Sequence, residues 1–253
     1  LEQEIFGPVL HIATFKSRQL DQIINDINAT GYGLTFGLQT RIDDRVQHVC
    51  ERIKAGNIYV NRNQIGAIVG SQPFGGEGLS GTGPKAGGPN YLPRFSATDV
   101  QTTNAGWQGG PTLPPAITPA PHTPVSATLL PGPTGESNRL STLPRAALLC
   151  MGPGHDAATE QARAVTALGG HAVIATGAIA PALLTEGPEY GGVLWWGNAQ
   201  TGREIEIALS ARRGPIIALI TGLPDLCRVQ TERHVCVDTT ASGGNAALLG
   251  AAT

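Results

Sequence analysis

Asn57-Ile58-Tyr59-Val60-Asn61-Arg62, followed by Gly66-Ala67-Ile68-Val69-Gly70-Ser71-Gln72-Pro73-Phe74-Gly75-Gly76, decides how the rest of this chain is read. Ile58–Val60 reads as a short buried strand, and it delivers the chain into a glycine-rich loop. Exposed amides in such a loop form a concave nest for an anion without any charged side chain. Gly66 lets the backbone approach a ligand closely, because a Cβ there would intrude. An isolated glycine loop is ordinarily only a turn, so the segments around it must decide.

Working outward, Val9–Phe15 reads as a strand, rich in apolar and β-branched residues. Leu20, Ile23, Ile24 and Ile27 recur at helical spacing, which predicts a helix over Gln19–Ala29 stopped by Gly31. A second helix is expected from Asp43 to Lys54, with two acids in its first turn, Val46, Val49, Cys50 and Ile53 on its apolar face, and Gly56 as its stop. This alternation is α/β in kind. After Phe95 the character changes. Asp99–Thr103 reads as a strand, and Gly109 to about Pro133 carries eight prolines, the pattern of an extended connector. A second α/β unit begins near Pro144. Its strands are expected at Ala146–Met151, Ala172–Ala175, Gly192–Trp196 and Pro215–Thr221, and its helices at Ala157–Leu168 and Ala199–Arg212. Short connections between them imply a small, mostly parallel Rossmann-like sheet. His234–Thr240 closes the pattern as one more strand.

Bulk composition narrows the function classes. The 253 residues suffice for one or two domains with a sizeable core. The 34 glycines and 19 prolines agree with many turns and a linker. A net charge of −2, with scattered basic residues, leaves no footprint for nucleic acid or an anionic membrane. No apolar run is long enough to span a bilayer. The four cysteines form no C-x-x-C and no zinc spacing, and the six histidines form no metal-binding pair, so no metal site is expected. Cys50 falls on the apolar face of its helix and reads as an inert buried thiol. Trp195-Trp196 reads as core or interface. Gly152-Pro153-Gly154-His155-Asp156-Ala157 formally satisfies the dinucleotide fingerprint G-x-G-x-x-A. Yet Pro153 removes one amide from the phosphate cradle, and Ala175-Thr176 stand where a ribose-binding acid belongs. It reads as an empty remnant.

Glu4-Ile5-Phe6-Gly7-Pro8-Val9, the Asn57–Arg62 strand and the Gly66–Gly76 loop together resemble the C-terminal part of an aldehyde dehydrogenase catalytic region. That resemblance implies NAD as cofactor, with Glu4 accepting from the nicotinamide-side ribose hydroxyls and Phe6 packing near the nicotinamide ring. The loop resembles the aldehyde anchor of glutamate-semialdehyde (pyrroline-5-carboxylate) dehydrogenases. Gly66 and Ala67 would then bind the substrate α-carboxylate through their amides, and Phe74 would pack on its aliphatic chain. None of the four cysteines has the setting of the family's nucleophile, so no catalytic residue is assigned within this chain.

Leu130-Pro131-Gly132-Pro133-Thr134-Gly135-Glu136-Ser137-Asn138, with the run from Glu232-Arg233 through Asp238 to Ala246, is similar to the C-terminus of the long proline utilization A enzymes. These join proline dehydrogenase to the semialdehyde dehydrogenase. The resemblance implies L-glutamate γ-semialdehyde as substrate, FAD in the parent if the proline dehydrogenase half is attached, a homodimer, and a cytoplasmic setting. It also implies a domain plan. Residues 1–96 would be the end of the catalytic region, 97–108 an oligomerisation flap strand, and 109–143 a Pro-rich linker. Residues 144–230 would be a non-catalytic Rossmann-like domain, and 231–253 a closing lid or flap motif.

Overall fold

A computed structural model describes residues 5, 7–64, 66–96, 101–117 and 123–239. Helix α1 (Leu20–Ala29) and helix α2 (Asp43–Arg52) form where the apolar spacing places them. Strands β1 (Tyr32–Gly33) and β2 (Thr35–Leu38) lie between them, and β3 (Asn57–Val60) and β4 (Glu77–Gly78) follow. Ile24, Val49, Ile53, Ile58 and Val60, each at most 2% exposed, close into one core with Cys50, Ala55 and Val235. Burial of a face this complete is what holds two three-turn helices that would be marginal alone.

The segment read as a linker divides in two. Pro111–Thr112 (β5) pairs in parallel only with Ala178–Ile179 further on. Beyond Pro124, Ser126–Leu130 (β6) and Glu136–Pro144 (β7) form an antiparallel hairpin. The linker assignment for 109–143 therefore needs correcting from Ser126 onward. Its prolines were counted as one run, whereas Pro131 and Pro133 belong to the hairpin turn, where Gly135 takes a φ of 84°.

The second unit follows in sequence. Strand β8 (Leu148–Cys150) leads to α3 (His155–Ala167), β9 (Ala172–Ile174) and β10 (Ala178–Ile179). Then come β11 (Gly192–Leu194), α4 (Ala199–Ser210), β12 (Leu219–Ile220) and the single turn α5 (Leu226–Val229). The Asn198 side chain caps α4 by accepting from the Thr201 amide at 2.8 Å. The four strands pair in parallel in the order β12-β11-β8-β9, which is the doubly wound arrangement expected from the alternation.

The last strand, β13 (Gln230–Asp238), returns to the first unit. It lies parallel to β3, His234 opposite Asn57 and Val237 opposite Val60, and antiparallel to β7 over nine residue pairs. The resulting mixed sheet runs β2-β3-β13-β7-β6. Residues 230–238 are thus a central strand of the first unit's sheet rather than a lid over it. Residues 240–253, which hold the rest of the closing motif, lie outside the described residues.

Two further expectations give way. Val9–Phe15 carries no strand, and Leu10 and Ile12 are each 83% exposed. Residue type sets only a preference, and a strand needs a partner edge to pair with. Of the flap strand at 97–108, residues 97–100 lie outside the described residues, and 101–108 form no strand. That stretch is drawn onto the Rossmann-like sheet instead. The Gln101 amide donates to the Thr221 carbonyl, the Thr103 amide to that of Trp196, and the Trp107 ring sits 4.5 Å from Trp195.

Candidate functional site

Strand alternation builds the site. Ile58 and Val60 of β3, with Val235 and Val237 of β13, face the helices. The opposite face then carries Asn57 and Tyr59 of β3, Glu232, His234 and Cys236 of β13, and Glu136 and Asn138 of β7. On this polar, buried face rests the glycine-rich loop with the segment that follows it.

Gly66 and Ala67 are exposed, and nothing lies within 4 Å of the position a Gly66 Cβ would take. Phe74 is half-buried, and its backbone bonds Ala86 in both directions, at 2.9 and 2.8 Å. The structure places all three predicted residues on one loop. Glu4 and Phe6 lie outside the described residues.

The loop is braced from beneath by residues that the sequence reading did not single out. Gln72, 1% exposed, accepts from the Ile68 amide at 3.2 Å and donates to Glu136 at 2.9 Å. Glu136 also receives Arg62 at 2.5 Å and Asn138 at 2.8 Å. Asn57, fully buried, donates to the Pro73 carbonyl at 2.9 Å and accepts from the Gly75 amide at 3.1 Å. Lys85, 2% exposed, donates from Nζ to Asn57 Oδ1 at 2.9 Å and to the Gly75 carbonyl. The Lys85 amide in turn donates to Glu232 at 2.8 Å, and Asn90 reaches the other oxygen of that carboxylate at 2.9 Å. One signal could have revealed this set: polar residues at every second position of Glu232-Arg233-His234-Val235-Cys236, opposite valines, mark a buried polar face.

Electrostatics follow from burial. Desolvation pushes Lys85 down to about 7, although Glu232 and Glu77 oppose it. His234, wholly buried, is pushed down to about 4 by desolvation and then by Lys85. Neither of its ring nitrogens has a hydrogen-bond partner; the nearby Ser71 backbone favours the charged ring only weakly. Burial also raises the thiols, Cys50, Cys227 and Cys236 to about 11 and Cys150 to about 12. None has the lowered pKa of a nucleophile.

The Rossmann-like unit does not fit a dinucleotide at its glycine turn. Gln161 bonds both the amide and the carbonyl of Gly152, at 2.9 and 3.2 Å. The Gln108 side chain stands 2.6 Å from where a Gly154 Cβ would be, and the Gln108 backbone amide donates to the Pro153 carbonyl. The Gly152 amide, one of the groups that would cradle a pyrophosphate, is engaged by the chain itself. Among the described residues, no three His, Cys, Asp or Glu side chains group to hold a metal ion, and no helix is long and apolar enough to cross a membrane.

Residues 1–100 match the aldehyde dehydrogenase family. Over 98% of its length the chain is 37% identical to the bifunctional protein PutA of Rhizobium meliloti, of which it covers 24%. The 1-pyrroline-5-carboxylate dehydrogenase of Bacillus subtilis is 48% identical over 36% of the chain and 18% of its own length. Among solved structures, proline utilization A from Corynebacterium freiburgense superposes with a TM-score of 0.53 at 25% identity, over 87% of this chain and 24% of that one. The chain spans about a quarter of the length of the PutA relatives it matches.

Proposed function

We propose that this chain supplies the aldehyde-anchoring end of an NAD-dependent L-glutamate γ-semialdehyde dehydrogenase that works in proline catabolism. The observation that carries the reading is the loop itself. Gly66 and Ala67 are exposed, while Gln72, Asn57 and Lys85 hydrogen-bond the loop from the buried side. Preorganised amides suit a carboxylate on the substrate, and Phe74 suits its aliphatic chain. Relatives named for pyrroline-5-carboxylate oxidation along this same segment support that choice of substrate.

In this reading Glu4 and Phe6 hold NAD, and the thiol nucleophile comes from another part of the parent enzyme. NAD supplies hydride acceptance when bound; the residues described here bind and orient the aldehyde. The parent also carries a proline dehydrogenase half with FAD, functions as a homodimer, and is cytoplasmic. Residues 144–230 act as a non-catalytic Rossmann-like module, while β7 and β13 join the sheet of the first unit and brace its loop.

Gly66→Val in the full-length enzyme tests the anchor. It should raise the KM for the semialdehyde much more than that for NAD. Equal effects on both would sink the assignment. A preference for propanal equal to that for the semialdehyde would point to a general aldehyde dehydrogenase.

A further inference from the structure

Residues 72–76 are held by contacts that converge on one side chain. Gly75 is gripped on both sides, its N–H donating to Asn57 Oδ1 and its carbonyl accepting from Lys85 Nζ. Asn57 Oδ1 is itself oriented by the same ammonium. The backbone next to Lys85 continues the grip, since Ala86 pairs with Phe74. The packing leaves no slack: a Cβ at Gly56 would stand 1.9 Å from the Gly75 oxygen and 2.8 Å from Lys85 Nζ. An ammonium is costly to bury and persists only where its hydrogen bonds and charge are met, here by Asn57, the Gly75 carbonyl and the nearby Glu232 and Glu77. What an ammonium adds is direction. It fixes the Gly75 carbonyl directly and, by orienting Asn57 Oδ1, the Gly75 N–H, and so sets the two peptides that flank Gly75.

We propose that Lys85 is the positioning residue that sets the Phe74–Gly75 half of the anchor loop for an aldehyde carrying a carboxylate. This rests on the anchor reading given above. Lys85 touches neither substrate nor cofactor in this role; it acts through Gly75, Asn57 and the Phe74 backbone. The groups facing it are Glu232, Arg233 and His234 on β13, Glu77 on β4, and Asn57 on β3. The two carboxylates favour its charge, while Arg233, His234 when protonated, and burial oppose it. Loss of that charge as pH rises through neutrality loosens the grip on both oxygens.

The test uses the full-length enzyme that contains this segment, with Lys85→Met beside Gly66→Val. Lys85→Met should raise the KM for the semialdehyde by about tenfold or more, while the KM for NAD and kcat/KM for propanal stay within about twofold. Equal losses with semialdehyde and propanal would reduce Lys85 to scaffolding and overturn the proposal. An unchanged semialdehyde KM in Lys85→Met, with Gly66→Val still selective, would overturn it while leaving the anchor standing. If Gly66→Val is unselective too, the anchor reading falls first and takes the proposal with it. Should Lys85→Met fail to fold, the wild-type enzyme decides through inhibition by glutarate, whose carboxylates keep constant charge above roughly pH 6.5. Inhibition should weaken by about fivefold or more from about pH 6.5 to about pH 9, with NAD affinity flat, whereas a flat glutarate profile would overturn the proposal.

Discussion

The side-chain amide of Gln72 donates to the carboxylate of Glu136 across 2.9 Å, joining the anchor loop to a hairpin 64 residues further along the chain. Glu136 is not a bystander there. It gathers Arg62, Gln72 and Asn138 from three separate segments, and it is more buried than the guanidinium it pairs with, at 12% against 17% exposure. The hairpin that carries it therefore holds the loop as well as the sheet.

Removing that carboxylate leaves a largely buried guanidinium and a buried amide without their acceptor. Glu136→Ala should destabilise the protein by about 2–4 kcal/mol, the range for breaking one side of a buried pair. Glu136→Gln keeps one acceptor for Gln72 and should cost distinctly less. Urea denaturation midpoints of the two variants would check the order, and equal losses would count against the shared-carboxylate account.

Two glycines should respond in opposite ways to the same methyl group. At Gly56 a Cβ meets the Gly75 carbonyl at 1.9 Å, so backbone must move, and Gly56→Ala should cost about 3 kcal/mol. At Gly66 a Cβ meets nothing within 4 Å, and Gly66→Ala should leave stability within about 0.5 kcal/mol. Thermal or urea unfolding separates the cases. A strong loss at Gly66 would mean that the loop packs against something other than ligand.

Helical and parallel-sheet elements were legible because their signals are local. The Leu20–Ile27 spacing and the twin acids at Asp43-Asp44 place α1 and α2 within a residue or two of where they stand. The glycine-rich stretch after β3 was legible as a loop, because Gly66 and Gly70 break any regular period. What supports the loop was not. Asn57, Gln72 and Lys85 look like ordinary polar residues until β13 comes back to lie beside β3, about 170 residues away in sequence. No local period announces such a return. The same blindness made a proline-rich stretch look like one linker, although a hairpin turn can use Pro131 and Pro133 and still leave strands on either side.

Thiol chemistry gives an independent check on the reading that no nucleophile lies in this chain. With Cys50, Cys227 and Cys236 raised to about 11 and Cys150 to about 12, the thiolate fraction near neutral pH is on the order of one in a thousand or less. Ellman's reagent should label none of them quickly in the folded protein, and all four after unfolding. Rapid labelling of a single cysteine at pH 7 would identify an activated thiol and reopen the assignment.

His234 makes the protein sensitive to acid. Its folded-state pKa is depressed from 6.5 to about 4, so between those values the unfolded chain takes up a proton that the folded chain refuses. Stability is thus fully present above about pH 6.5 and falls as pH drops toward 4, by an amount on the order of 3 kcal/mol for this one buried ring. Two features make the ring hard to charge: it has no hydrogen-bond partner at either nitrogen, and the Lys85 ammonium lies close by. His234→Leu removes the titrating group while keeping an apolar side chain of similar bulk. Its denaturation free energy should change less between pH 7 and pH 4.5 than that of the wild type, even if it is lower at pH 7. Parallel pH profiles for the two proteins would show that acid acts elsewhere, and that His234 is simply packed.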